Sequence, residues 1–213
     1  MNFKNKIKYL IFLSIVSIIS CKSSRVHKVL KNVTSKEGKT INTLIGDCIV
    51  KYDAYDRLSG KRITELKPEE IFSFTHDKLK PYFTDRPFLT CYAGLSRKSS
   101  EFFLLLKFIV DTKYIKTGYN GISNNSMLRI TLIGGDKIYL KNIFNNLGTR
   151  DVEGKNITYN GIYPISKSDL KTLKKVEIDK MGVEWNGGVE EYEVYNIDFL
   201  IKQLECLNKI NDN

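Results

Sequence analysis

EFFLLLKFIVD, residues 101–111, is the stretch that decides the fold of this 213-residue chain. It is the most apolar stretch after residue 20, and an acidic residue stands at each of its ends. A membrane-crossing helix needs roughly 20 apolar residues, so this stretch is too short to cross a bilayer. A strand buried on both faces of a sheet reads as a near-continuous apolar run. We therefore expect 101–111 to be a central strand, buried on both faces.

Alternating apolar residues predict further strands on either side of this one. One strand is predicted around 44–52 and ends in the turn DRLSGKR, and another is FLTCYAGL. The residues that recur on one face of these two strands are Leu44, Gly46, Cys48, Val50 and Tyr52, and then Leu89, Cys91, Ala93 and Leu95. NITYNGIYPIS predicts a later strand. Gly134-Gly135-Asp136 and Asn186-Gly187-Gly188 each separate two such runs, which indicates two hairpins.

Helices are predicted at fewer places. Ser166, three residues before Asp169, forms a capping-box pattern that opens a short helix. Residues 61–83 are ambiguous, because PEE suits the start of a helix whereas EIFSF suits a strand, and THDKLKPYF suits a short helix that ends at Pro81. A helical repeat marks an amphipathic helix near the end of the chain through Ile197, Leu200, Ile201, Leu204 and Leu207. The pattern thus predicts an α+β fold with a mainly antiparallel sheet of about eight strands with hairpins, and two or three short helices including the C-terminal one.

The first residues indicate a lipoprotein signal. Three lysines are followed by an apolar run over residues 9–19, which has the length of a secretory signal's apolar region. Ile18-Ile19-Ser20-Cys21 matches the pattern of a bacterial lipobox, in which the cysteine thiol takes a diacylglyceryl group. We expect a signal peptide at 1–20, lipidation of Cys21, a flexible tether at 21–40 and one globular domain at 41–210. No acidic cluster follows Cys21, which favours a domain anchored in the outer membrane of the cell envelope and facing the periplasm.

Composition adds little about partners beyond the membrane that the lipid anchor implies. The net charge is +10, and removing the three lysines of residues 1–20 leaves +7 (10 − 3). The lysines are scattered among acidic residues and form no stripe, so we expect no nucleic-acid partner.

The chain contains no sequence motif for catalysis, metal binding or a cofactor. There are two histidines, His27 in the tether and His76 beside Asp77, and no Cys-x-x-Cys, H-E-x-x-H or G-x-S-x-G. GTRDVEGKN has the wrong spacing for a phosphate-binding loop, which leaves an exposed loop as the interpretation. We therefore predict no catalytic, metal-binding or cofactor-binding residues, and no cofactor.

Three cysteines remain besides Cys21. Cys48 and Cys91 lie on apolar faces of predicted strands and can meet, while Cys206 lies near the apolar face of the last helix. Any pairing leaves one thiol over. Buried free thiols are the favoured interpretation and a disulfide is the alternative.

The chain resembles a group of small lipoproteins of Bacteroidota in its lipobox, the turn at Asp56–Lys61, the hairpin LIGGDKIYL and the closing YNIDFLIKQLECL. The resemblance implies placement in the envelope and no particular activity. Of the twelve tyrosines, Tyr192 and Tyr195 are candidates for an exposed binding face. Our hypothesis is a non-enzymatic module that binds an unknown protein or glycan. The alternative is an envelope hydrolase whose site shows no sequence motif.

Overall fold

The computed structural model describes residues 43–45, 48–112 and 119–211. Twelve strands and three helices lie in these ranges. The strands are β1 (Thr43–Ile45), β2 (Cys48–Tyr55), β3 (Arg62–Leu66), β4 (Glu69–Phe74), β5 (Leu89–Lys98), β6 (Glu101–Asp111), β7 (Met127–Leu132), β8 (Lys137–Lys141), β9 (Thr149–Arg150), β10 (Asn156–Ile165), β11 (Ile178–Trp185) and β12 (Gly188–Glu193). The helices are a 3₁₀ helix (Asp77–Tyr82), α1 (Lys167–Leu173) and α2 (Phe199–Asn211).

The strands form two antiparallel sheets. The larger has eight strands in the order β1-β2-β3-β5-β6-β10-β9, with β4 also paired to β5, and the smaller has the order β12-β11-β7-β8. The predicted mainly antiparallel α+β fold with a C-terminal helix is therefore confirmed, although the fold contains more strand than the sequence pattern predicted.

One side of the eight-stranded sheet carries the core. The buried residues of the smaller sheet, α1 and α2 join one apolar cluster with the buried residues of β5, β6 and β10. The two sheets are hydrogen-bonded to each other at two corners, where the Tyr195 amide donates to Ile71 (3.0 Å) and the Ile143 amide donates to Ile162 (2.9 Å). The smaller sheet is thus held to the larger one from both sides.

β6 is central, as predicted, but only one of its faces is fully buried. Leu104, Leu106, Phe108 and Val110 are buried, whereas Leu105 and Ile109 are half-buried and Lys107 is exposed. The prediction of burial on both faces is therefore wrong for one face. The physical reason is that all the elements that join the core pack on the same side of the sheet.

The strand ladder has a break where β5 changes its partner from β3 to β4, and a side chain of α2 forms hydrogen bonds at this break. The chain bends at Lys67 and Pro68 between β3 and β4, so that β3 pairs with β5 up to Ser96 and β4 begins its pairing at Ala93. Gly94 permits this bend, because a Cβ there would lie 3.3 Å from the Pro68 Cα. The buried Gln203 accepts from the Leu95 amide (2.6 Å) and donates to the Lys67 carbonyl (3.2 Å). Gln203 therefore satisfies two backbone groups that the break leaves without a strand partner.

Several local predictions can be compared directly with the structure. The single strand predicted around 44–52 is wrong, because β1 and β2 are separate strands that pair antiparallel. EIFSF is a strand and no helix begins at PEE, while the predicted short helix is the 3₁₀ helix, which contains Pro81 instead of ending at it. The capping prediction is confirmed, because the Ser166 side chain accepts from the Asp169 amide (3.1 Å).

The predicted signal peptide, lipidated Cys21 and tether, with His27, lie outside the described residues, and the single domain at 41–210 stays a prediction. Among the described residues, no helix combines the length and apolarity that a membrane crossing requires.

Candidate functional site

Polar side chains converge where the 3₁₀ helix meets β12. His76 lies directly before the 3₁₀ helix, and Glu190 lies on β12. The His76 Nε2 is 3.5 Å from the Glu190 Oε1, and the two side chains are 42% and 31% exposed. The sequence pattern contains no signal for the contact of His76 with Glu190, because their proximity arises from packing between distant segments.

Buried hydroxyls complete this cluster from the core side. The Tyr192 hydroxyl donates to the Glu190 Oε2 (2.7 Å) and accepts from the Trp185 Nε1 (3.1 Å). The Tyr119 hydroxyl donates to the same Glu190 oxygen and lies 3.4 Å from the His76 Nε2. The Glu190 carboxylate is therefore bound by two phenols and approached by an imidazole.

The two phenols do not act as bases or nucleophiles. Burial, followed by the hydrogen bond to Glu190, raises the pKa of Tyr119 far above its ordinary value. Burial, followed by the neighbouring Tyr119, raises the pKa of Tyr192 in the same direction. Both hydroxyls thus stay protonated at neutral pH and serve as hydrogen-bond donors. The Tyr192 ring also stacks on Phe72 at 4.6 Å between ring centroids, which makes it part of the core.

The cysteines form one disulfide and leave one free thiol. Cys48 on β2 is bonded to Cys206 on α2 with an S–S distance of 2.00 Å. Cys91 is buried, and burial raises the pKa of its thiol well above the ordinary value. A protonated, inaccessible thiol is unreactive. The free-thiol interpretation therefore holds for Cys91 alone. The pairing of Cys48 with Cys91 is not formed, because β3 separates their strands whereas α2 brings Cys206 to Cys48.

A cleft lies beside the disulfide. It has a volume of about 740 Å³ and runs between the β3–β4 bend and α2. Glu69 in its wall accepts hydrogen bonds from Gln203 (2.8 Å) and Asn196 (3.1 Å). These amides therefore bind both oxygens of the Glu69 carboxylate, next to the β3–β4 bend.

The eight-stranded sheet presents an apolar surface on the side away from the core. We define this outer face by Tyr92, Phe103, Leu105, Lys107, Ile109 and Ile162 on β5, β6 and β10, none of which is fully buried. Thr90, Thr158, Asn160 and Pro164 lie on the same side and are also not fully buried. The three strands are adjacent, and their register places Leu105 beside Ile162 and Lys107 beside Tyr92. Leu105 and Ile162 are therefore adjacent, whereas Ile109 lies between Thr90 and Thr158 on the neighbouring strands.

The predicted aromatic face at Tyr192 and Tyr195 is not formed. Tyr192 is buried, whereas Tyr195 is 57% exposed and donates a hydrogen bond to Glu70 (2.5 Å). The signal for the outer face was present in β6, whose sequence is apolar on both faces, but it was interpreted as complete burial.

In the part of the chain that the structure describes, no three metal-binding side chains of the His, Cys, Asp or Glu type come together. Comparisons of the chain with models of protein families, with curated proteins and with solved structures found no match.

Proposed function

We propose that this chain is a lipoprotein of the cell envelope that is anchored through Cys21 and binds another protein through the outer face. The lipobox Ile18-Ile19-Ser20-Cys21 supports the anchor. One acyl chain gives only marginal membrane binding, whereas two or three chains on one cysteine hold a protein firmly. The bound domain then faces its partner at the membrane surface.

The outer face is the observation that carries the binding function. Apolar side chains that lie next to one another on the surface of a folded domain mark interaction sites, whereas single scattered ones do not. Covering a partly exposed Leu or Ile side chain contributes on the order of 0.5 kcal/mol, so several such residues together add to the affinity. The Glu69 carboxylate of the cleft and the Glu190 carboxylate of the tyrosine cluster, by contrast, are already bound by other side chains of the chain.

Site-specific crosslinking in intact cells tests this proposal. A photo-reactive residue at Leu105 is expected to capture a partner protein, whereas the same residue at the exposed Lys171 on α1 is not. Ile162→Asp should abolish capture at Leu105, because it places a charge beside it on the outer face. Lys171→Asp is the matched control and should leave capture intact. Capture that persists in Ile162→Asp, in protein with native Trp185 fluorescence, refutes the proposed surface.

The anchor is tested separately by metabolic labelling with palmitate. The native chain should take up label, and Cys21→Ala should not. Equal labelling of the two proteins contradicts the assignment of Cys21.

An envelope hydrolase is the second candidate, and the contact between His76 and Glu190 is what favours it. A partly exposed imidazole held by a carboxylate has the arrangement of a general base and its orienting group. The purified chain would then release soluble fragments from isolated envelope material, and His76→Ala would stop the release. Equal release by the two proteins excludes this role for His76.

A further inference from the structure

Lys107 stands on the outer face between partly exposed apolar or aromatic side chains and one amide side chain. Leu105 and Ile109 flank it along β6, and Tyr92 and Asn160 lie beside it on the adjacent strands. Lys107 is exposed and forms no ion pair with any described residue. An ammonium group in such a surface lacks the carboxylate that would compensate it when the surface is covered.

The acid in the same row does not supply that compensation. Glu70 pairs with Tyr92, so it lies two strands away from Lys107, a distance of roughly 9–10 Å. Its carboxylate also accepts the hydrogen bond of Tyr195. A partner that covers the outer face therefore has to leave the Lys107 ammonium in water or provide an anion for it, because an unpaired buried charge is costly.

The spacing along β6 matches that of an extended strand. Alternate residues of a strand are about 6.6–6.8 Å apart, which is the separation expected from Leu105 to Lys107 and from Lys107 to Ile109. A partner strand packed on this face, with its axis within about 30° of β6, presents alternate side chains at the same interval. Its central position then meets Lys107, and the positions two residues away meet Leu105 and Ile109.

We propose that the outer face recognises an extended segment of a partner protein whose sequence reads apolar-x-acidic-x-apolar, with the acidic carboxylate bound to Lys107. This inference rests on the proposed binding function and names the chemistry of its partner. The apolar positions supply affinity, while the carboxylate selects the partner and its register.

Selection from a library of displayed twelve-residue peptides, against the full lipidated chain in detergent, tests the inference. Selected peptides should carry Asp or Glu with apolar residues two positions before and after it. The affinity of these peptides should be at least tenfold lower for the Lys107→Glu variant than for the native chain. The control variant is Lys141→Glu, which changes an exposed lysine of β8 in the smaller sheet and should alter the affinity by less than twofold. Replacing the peptide's acid with Lys should restore binding to Lys107→Glu, which a merely structural role of Lys107 cannot explain.

The remaining outcomes separate this inference from the binding function itself. One outcome is that the selected peptides fail to bind the Ile162→Asp variant but bind the Lys107→Glu variant as tightly as the native chain. This result would overturn the proposed contact of an acidic residue with Lys107 and would leave the outer face as a binding surface. Failure to select any peptide that depends on the outer face overturns the acidic segment, while crosslinking at Leu105 still decides the binding function. If sedimentation shows that the native chain is a dimer and that Ile162→Asp is a monomer, the outer face binds a second copy of the chain. If neutral glycans bind to the outer face, its ligand is a sugar. Either result overturns the inference.

Discussion

Gln203 is predicted to be a polar residue on which the stability of the fold depends, and Gln203→Met is the change that tests this. Methionine keeps the length and approximate volume of the side chain and removes both polar atoms. The Leu95 amide and the Lys67 carbonyl then lose their partner in the ladder break, whereas Glu69 keeps its hydrogen bond from Asn196. The expected loss therefore comes from two backbone groups.

The magnitude follows from the burial of these two groups. A buried donor or acceptor left without a partner costs about 1–3 kcal/mol. Two of them predict that the free energy of unfolding falls by about 2–6 kcal/mol in Gln203→Met. For a chain of this size, 1 kcal/mol corresponds to roughly 2–4 °C, so the melting temperature should fall by roughly 4–24 °C.

Urea unfolding of the oxidised chain measures this change. Trp185 is buried among aromatic rings, and its fluorescence reports the transition. Glu205→Met is the matched control, because it introduces methionine at an exposed position of the same helix. Equal free energies of unfolding for Gln203→Met and the native chain would refute the role of Gln203 in closing the ladder break.

Three further predictions concern the backbone, the disulfide and pH. Gly148 has a φ of +90°, and a Cβ there would lie 2.5 Å from a side-chain carbon of Ile157, so Gly148→Ala should lower stability by about 1–3 kcal/mol in the same urea assay. An unchanged transition would contradict this. The disulfide of Cys48 with Cys206 joins residues 158 positions apart, so replacing both cysteines with alanine should lower the free energy of unfolding by roughly 2–5 kcal/mol. Equal stability of the oxidised native chain and the double variant would contradict this. Hydrogen bonds, the largest from the Lys98 ammonium, hold the pKa of Asp56 well below its ordinary value. Its contribution to stability is therefore present above about pH 4 and lost as the pH falls below that value, so Asp56→Asn should weaken the dependence of the melting temperature on pH between about pH 4 and 2. Parallel melting curves against pH for the two proteins would refute it.

The sequence by itself determined the features that depend on near neighbours. Alternation of apolar residues identified β5 and the hairpin of β7 and β8, because a strand repeats every two residues wherever it lies in the fold. A near-continuous apolar run identified β6. The cap at Ser166 was also predictable, since a serine hydroxyl three residues from the amide it binds needs no distant partner.

Only the tertiary structure decided the features that join distant parts of the chain. Alternation does not show which face of β6 the helices and the smaller sheet cover, so the outer face was interpreted as buried. The disulfide, whose cysteines are 158 positions apart, and the bond of Gln203 to Leu95, 108 positions away, arise because α2 packs beside the β3–β4 bend. The contact of His76 with Glu190 likewise depends on the placement of β12 against β4. Local sequence patterns specify the direction of each strand's side chains, but the surface those side chains meet is set by the packing of elements far apart in the chain.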